Sequence, residues 1–191
     1  MKTAGRFRFQ PLTPDRWEDF EQLFGPRGAC AGCWCTWWRQ PRAEFERNKG
    51  EKNKRTMKRL VEGGEIPGIL AYREAEPVGW CSVAPRESFS VLARSRSLKP
   101  IDTQPVWSVV CFFIRKDCRR QGLSVALLRA AAQYVRSRGG RLLEGYPVIS
   151  RQGAMPDAFA WTGLAPAFYR AGFTDCAQPS ATRRIVRLKV G

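Results

Sequence analysis

Residues Val106–Ile114 read VWSVVCFFI; Arg115-Lys116-Asp117-Cys118-Arg119-Arg120-Gln121-Gly122 follow, and then Leu123-Ser124-Val125-Ala126-Leu127-Leu128. An almost wholly apolar run of this length is a strand buried on both faces, the kind found inside a parallel sheet. Beyond Gly122 the period changes. Leu123, Ala126, Leu127, Ala130, Ala131, Tyr134 and Val135 recur at helical spacing, so an amphipathic helix follows the strand. Gly139-Gly140 stops it, and Arg141–Tyr146 (RLLEGY) returns as a second strand. Strand, helix and strand in so few residues make a right-handed βαβ unit with parallel strands.

Working outward, Phe7, Phe9 and Leu12 alternate with polar residues as a short first strand. Thr13-Pro14 starts a helix, with a hydroxyl N-cap and proline in the first position. Trp17, Phe20, Leu23 and Phe24 form its apolar face, and Gly25-Pro26 ends it. A basic helical segment spans Ala43 to Glu62, broken near Gly50. Ile69–Tyr72 and Val78–Val83 form a hairpin across the turn Glu74–Pro77. Pro85–Pro105 reads as a long loop with little regular structure. Beyond Met155-Pro156 come a short helix from Leu164 to Ala171, closed by Gly172, and last strands at Phe173–Cys176 and Arg184–Lys189. The pattern is one mixed α/β domain over residues 1–191, with a helical, Cys- and Trp-rich part at about 13–62 and a core at about 66–190.

The composition narrows the chemistry. The 191 residues include 33 Lys+Arg, 17 Asp+Glu and no histidine, a formal charge of +16. Without histidine there is no Ser-His-Asp or Cys-His triad and no His-ligated metal site. The excess of positive charge suits an anionic partner or cofactor. Seven cysteines, an odd number, fit free thiols in a cytoplasmic protein, and no apolar run is long enough to span a membrane.

The turn Arg119-Arg120-Gln121-Gly122-Leu123-Ser124 lies between the buried strand and the helix N-terminus, where the first amides lack intrahelical acceptors and the helix dipole favours anions. Arg115, Lys116, Arg119 and Arg120 add charge, Gly122 permits close approach of a ligand, and Ser124 offers a hydroxyl. The spacing is neither G-x-x-x-x-G-K-[ST] nor G-x-G-x-x-G, which leaves a nucleoside triphosphatase or dinucleotide-binding dehydrogenase without support.

Arg119-x-x-Gly122-x-Ser124 resembles the R/Q-x-x-G-x-G/A signature of the GNAT superfamily of N-acetyltransferases, with serine at the last position. Ala167-Phe168-Tyr169-Arg170-Ala171-Gly172-Phe173 resembles that family's Y-x-x-x-G-F segment, although the spacing here is Y-x-x-G-F. The resemblance extends to a bacterial branch carrying a C-x-x-C-W-C-x-W-W block, present here at Cys30–Trp38. It implies a mixed sheet of six to seven strands flanked by helices and splayed between strands four and five. It implies acetyl-coenzyme A as donor, with its pantetheine against the backbone of Phe112, Phe113 and Ile114 and its pyrophosphate on Arg119, Arg120, Gln121, Gly122, Leu123 and Ser124. It also implies transfer to a primary amine by direct attack in a ternary complex. Tyr169 would protonate the departing thiolate. Glu144, a carboxylate in mid-strand, is the first candidate base; Glu87 and Asp157 on flanking loops are further candidates near the acceptor.

Cys30-x-x-Cys33-x-Cys35 admits a zinc reading with a fourth ligand from Cys81, Cys118 or Cys176, but a second cysteine pair is missing, and no metal is expected. Trp34, Trp37 and Trp38 favour an aromatic loop packed over the sheet; Trp34 and Trp37 are candidates to wall the acceptor pocket, where their faces would hold an amine. The acceptor is a small-molecule, peptide or protein amine, and the protein a monomer or homodimer. The alternative function is a nucleic-acid-binding basic module on a degenerate fold of the same kind, resting on the basic residues from Arg47 to Arg59 and 12% aromatic content. Interleaved glutamates in that segment point instead to a solvated helix surface.

Overall fold

The computed structural model describes residues 7–149 and 160–191. Seven strands form one mixed sheet in the order β1-β2-β3-β4-β5-β7-β6. They are β1 (Arg8–Pro11), β2 (Gly68–Arg73), β3 (Glu76–Pro85), β4 (Trp107–Ile114), β5 (Leu142–Gly145), β6 (Thr174–Ser180) and β7 (Arg183–Lys189). The helices are α1 (Trp17–Phe24), α2 (Arg42–Arg47), α3 (Glu51–Glu62), α4 (Ser90–Arg94), α5 (Leu123–Ser137) and α6 (Ala165–Arg170). Of these seven strands only β4 and β5 pair in parallel, as the crossover through α5 requires. The last hairpin places β7 between β5 and β6, an order that strand patterns in the sequence do not encode.

Both faces of the sheet are covered. Helix α5 brings Leu123, Leu127, Ala131 and Val135 onto Ile69, Val83, Val109 and Phe112. On the opposite face, α1, α3 and the Cys-Trp loop pack Phe20, Phe24, Trp34 and Met57 against Leu70 and Trp80. Beside them Trp38, Phe89, Leu92, Val110 and Tyr146 make a further cluster. Burial on both faces explains why β4 carries almost no polar residue.

Three local expectations need correction. The Thr13 hydroxyl makes no cap bond; it accepts from the Arg16 guanidinium, and a 3-10 turn at Pro14–Arg16 leads into α1. The β2–β3 turn is Glu74-Ala75 alone, with Glu74 at φ 58°, because Glu76 and Pro77 already pair with Arg73 and Tyr72. The long loop contains a 3-10 turn at Arg86–Ser88 and the short helix α4, which bury Phe89 and Leu92. A single turn of apolar residues in a long polar segment carries too weak a period to read. The break near Gly50 occurs where expected, between α2 and α3.

Candidate active site

Strands β4 and β5 pair only at Trp107–Val109 with Leu143–Gly145, and β4 runs on to Ile114 after β5 has ended. The parting begins beside a bulge. Ser82 opposes Cys111 and Val83 opposes Val109, so Val110 is the extra residue, and the extra residue bends the strand. Phe168 wedges the gap from the α5 side. A Cβ on Gly145 would lie 2.2 Å from its ring and one on Gly163 2.6 Å from it, which is why glycine stands at both positions. The Phe168 ring also meets Phe112 edge-on, with 6.0 Å between centroids.

Alternation along β4 decides which backbone groups face the gap. Arg115 donates its N–H to Val78 of β3, so Phe113 turns the same way, and Phe112 and Ile114 turn toward the gap. The Phe112 N–H is bonded to the carbonyl of Trp161 at 2.7 Å. The Ile114 carbonyl accepts from Arg119 Nε at 2.9 Å. The segment around Trp161 therefore substitutes for β5 as partner at Phe112, a role no pattern in the sequence marks.

The turn after β4 forms a cradle of backbone donors. A 3-10 turn at Lys116–Cys118 leads to Arg119 in extended conformation, Arg120 at φ 58° and Gly122 at φ 80°. Helix α5 makes its first ladder bond from Ala126 N–H to the Gly122 carbonyl, leaving the amides of Leu123, Ser124 and Val125 ahead of the ladder. A Cβ at Gly122 would meet nothing within 4 Å, so the cradle opens to space. The positive charges divide. Arg115 is committed to Glu76 and Asp117 at 2.9 and 2.7 Å; Asp117 and Glu76 push its pKa further up, and Arg115 and Arg73 hold the Asp117 carboxyl below the ordinary range. Gln121 Nε2 donates to the Asp117 carbonyl, which fixes the turn. Lys116 and Arg120 are exposed.

Glu144 is fully buried and turns to the opposite face. One carboxylate oxygen accepts from Arg86 Nη1 at 2.9 Å and from the Tyr146 hydroxyl at 2.6 Å; the other accepts from Arg187 Nε at 2.8 Å. Arg187 also binds Asp102 and holds that carboxyl down to about 2. Ser108 Oγ lies 2.8 Å from the Tyr146 hydroxyl, so this buried polar group spans β4 and β5. Tyr169 is 42% exposed and donates to Asp175 of β6 at 2.8 Å; desolvation and that carboxylate raise its pKa. Counting back from Gly172-Phe173 at the Y-x-x-x-G-F spacing reaches Phe168, the residue that does line the gap.

Across the sheet, Trp38 donates its indole N–H to the Val110 carbonyl at the bulge, 3.0 Å away. Trp37 and Trp38 surround Trp161, with centroids 6.2 and 5.6 Å from its own. Trp37, half-buried, lies beside this group; Trp34, 3% exposed, stacks on Phe24 within the α1 cluster and lines a different pocket, with Glu21, Gly25, Gly50 and Lys54. Glu87 is exposed on the turn after β3, and Asp157 lies outside the described residues. Among the described residues no group of three or more His, Cys, Asp or Glu side chains is placed to hold a metal ion, and no helix is long and apolar enough to cross a membrane. In the basic segment, Lys49, Arg55 and Lys58 pair with Glu46, Glu51 and Glu62, and Lys54 with Glu21.

The sequence model of the Acetyltransferase (GNAT) family matches residues 29–154, more than half of the chain. The chain belongs to the GNAT acetyltransferase family. Solved structures of similar fold include a GNAT-family acetyltransferase from Listeria monocytogenes (TM-score 0.57, 10% identity, 99% of this chain and 98% of that one covered). Another is the PaiA N-acetyltransferase from Thermoplasma acidophilum in complex with coenzyme A (TM-score 0.52, 13% identity, 96% and 98% covered). A third is YncA from Salmonella typhimurium with its cofactor acetyl-CoA (TM-score 0.53, 10% identity, 97% and 95% covered). Identities this low speak for the GNAT fold alone. No curated protein matches the chain.

Proposed function

We propose that this GNAT protein transfers an acetyl group from acetyl-coenzyme A to an amine. The reading is carried by one observation: β4 and β5 part beside an open, glycine-bearing helix N-terminus on the strand–helix turn. The amides of Leu123, Ser124 and Val125, with Lys116 and Arg120, would receive the pyrophosphate. The backbone at Ile114 would meet the pantetheine, and Phe168 and Phe112 would exclude water from the thioester. The amine nitrogen bonds to the acetyl carbon, the carbon–sulfur bond breaks, the amine gives up a proton and the departing thiolate takes one.

Both oxygens of Glu144 are occupied by guanidinium and phenol donors. We therefore assign it to positioning Tyr146 and the two arginines, with deprotonation of the amine left to water. Coenzyme A should raise the melting temperature, and free thiol should appear when acetyl-coenzyme A is mixed with a panel of amines, amino acids and peptides. The absence of both a thermal shift with coenzyme A and thiol release with every amine tested would end this reading. Salt-sensitive RNA binding without a coenzyme A shift would favour the nucleic-acid module.

A further inference from the structure

Residues 160–163 form a tight turn, closed by the Gly163 N–H on the Ala160 carbonyl at 2.8 Å. Bonds from other elements pin it on several sides. The Trp161 carbonyl accepts from the Phe112 N–H of β4 at 2.7 Å, and the Gly163 carbonyl from the Val148 N–H at 2.9 Å. The Thr162 hydroxyl accepts from Nη1 of Arg183, the first residue of β7, at 2.8 Å. One turn thus fixes the Trp161 ring and the Arg183 guanidinium beside the gap between β4 and β5.

The two faces of that gap differ. Phe168 and Phe112 fill the α5 face, and the free amides of Leu123, Ser124 and Val125 head α5 on the same side. On the opposite face Trp161 joins Trp37, Trp38 and Tyr146. Trp37 and Trp161 are only half-buried, and their planes stand at 80° with 6.2 Å between centroids. Trp38, 8% exposed, backs the Trp161 ring at 5.6 Å. Two aromatic faces at a right angle make an apolar corner.

The charge beside this corner is positive and lacks a partner. Arg183 is partly buried, and both groups that its Nη1 reaches are neutral: the Thr162 hydroxyl and, at 2.7 Å, the Tyr146 carbonyl. Its Nε and Nη2 have no partner among the described residues, and desolvation pulls its pKa down. The other arginines of β7 are paired, Arg184 with Asp175, and Arg187 with Glu144 and Asp102. Arg42, exposed and in no ion pair among the described residues, lies 5.5 Å over the Trp37 ring. Nε and Nη2 are the edge of a guanidinium that makes two parallel bonds to a carboxylate.

We propose that the acceptor is an amine that carries a carboxylate on an apolar or aromatic body, with the carboxylate on Arg183 and the body in the corner of Trp37 and Trp161. Free apolar amino acids are the simplest members of this class. The proposal rests on the acetyl-transfer reading. The nitrogen gains the acetyl group and gives one proton to water, the carbon–sulfur bond breaks, and the sulfur takes a proton; the carboxylate only anchors. A polyamine would instead bring further positive charge against Arg42 and Arg183.

The test uses the full chain, acetyl-coenzyme A and two matched pairs that differ only in the carboxylate: phenylalanine with phenethylamine, and alanine with ethylamine. Thiol release should give phenylalanine a kcat/KM at least about tenfold above that of phenethylamine, and at least about tenfold above that of alanine. Arg183→Lys keeps the charge and loses the fork, so it should erase most of the preference for phenylalanine over phenethylamine. An arginine that only braces the turn would lower both rates alike and leave the ratio where it was. Trp37→Leu should narrow the preference for phenylalanine over alanine. The parent ratio decides the carboxylate even where a variant does not fold. Phenethylamine used as well as phenylalanine, or better, would overturn the proposal and leave acetyl transfer standing. So would a thermal shift with coenzyme A accompanied by no release from either amino acid. No shift and no release from any amine would remove the acetyl-transfer reading itself.

Discussion

Gly28 and Gly122 both stand at positive φ, 61° and 80°, in opposite surroundings. A Cβ on Gly28 would lie 2.2 Å from the indole nitrogen of Trp34; one on Gly122 would meet nothing within 4 Å. Gly28 belongs to the Cys-Trp loop, where left-handed backbone, aromatic rings and thiols are packed against the sheet. Gly122 belongs to the β4–α5 turn, where the same backbone leaves amides pointing into open space. One glycine makes room for the protein's own side chain and the other leaves room for a ligand. The following substitutions test that contrast.

Glu144→Gln on the packed side should have the largest effect. It leaves Arg86 and Arg187, both largely buried, short of their shared charge. Breaking such a pair costs about 3–5 kcal/mol, so urea unfolding should show a loss of that size. Turnover of the folded fraction should keep its pH profile. A variant as stable as the parent that loses the rise of rate with pH would make Glu144 the base and move this cluster to the reacting side.

Gly28→Ala should come next. The left-handed conformation costs a β-carbon about 1–2 kcal/mol, and the overlap with Trp34 adds about 1–3 kcal/mol of overpacking. Thermal unfolding would register the loss, and coenzyme A affinity of the folded protein should not change. Gly122→Ala reverses the pattern. Stability should fall by only about 1–2 kcal/mol, because nothing is overlapped, while calorimetry should find coenzyme A binding at least about tenfold weaker as the methyl intrudes on the cradle. Equal effects of the two substitutions on stability and on binding would erase the distinction.

The β4–α5–β5 unit was legible because its apolar period changes from that of a buried strand to that of a helix at Gly122, and glycines mark both helix ends. The cradle was legible for the same reason: it is local, and its donors are backbone groups that follow from the turn. Side-chain roles that depend on distant segments were not legible. Glu144 stands out in RLLEGY as a charge in a strand, but its partners lie 58 and 43 residues away. The placement of β7 between β5 and β6 brings Arg187 to it, and no periodicity encodes that order. Trp38 shows the same limit. Its ring advertises burial, but its bond to the Val110 carbonyl depends on a bulge visible only in the pairing of β3 with β4.

Tyr169→Phe should have the smallest effect, and it bears on the open side. The hydroxyl is exposed, and its resolved bond is to Asp175. Losing one such bond costs about 0.5–1.5 kcal/mol, less at an exposed site. Phe168 already occupies the wall of the gap, and a phenol whose pKa is raised by desolvation and a neighbouring carboxylate is a poorer proton donor to a thiolate. Thiol release by Tyr169→Phe should therefore stay within about threefold of the parent. A drop of about a hundredfold with unchanged coenzyme A affinity would mean that Tyr169 reaches the thiolate once the donor is bound. In that case α6 must move relative to β6 to free the hydroxyl from Asp175. Asp175→Asn then separates the two cases: it should raise turnover if the carboxylate restrains the acid, and leave turnover unchanged if the pair only ties α6 to the edge of the sheet.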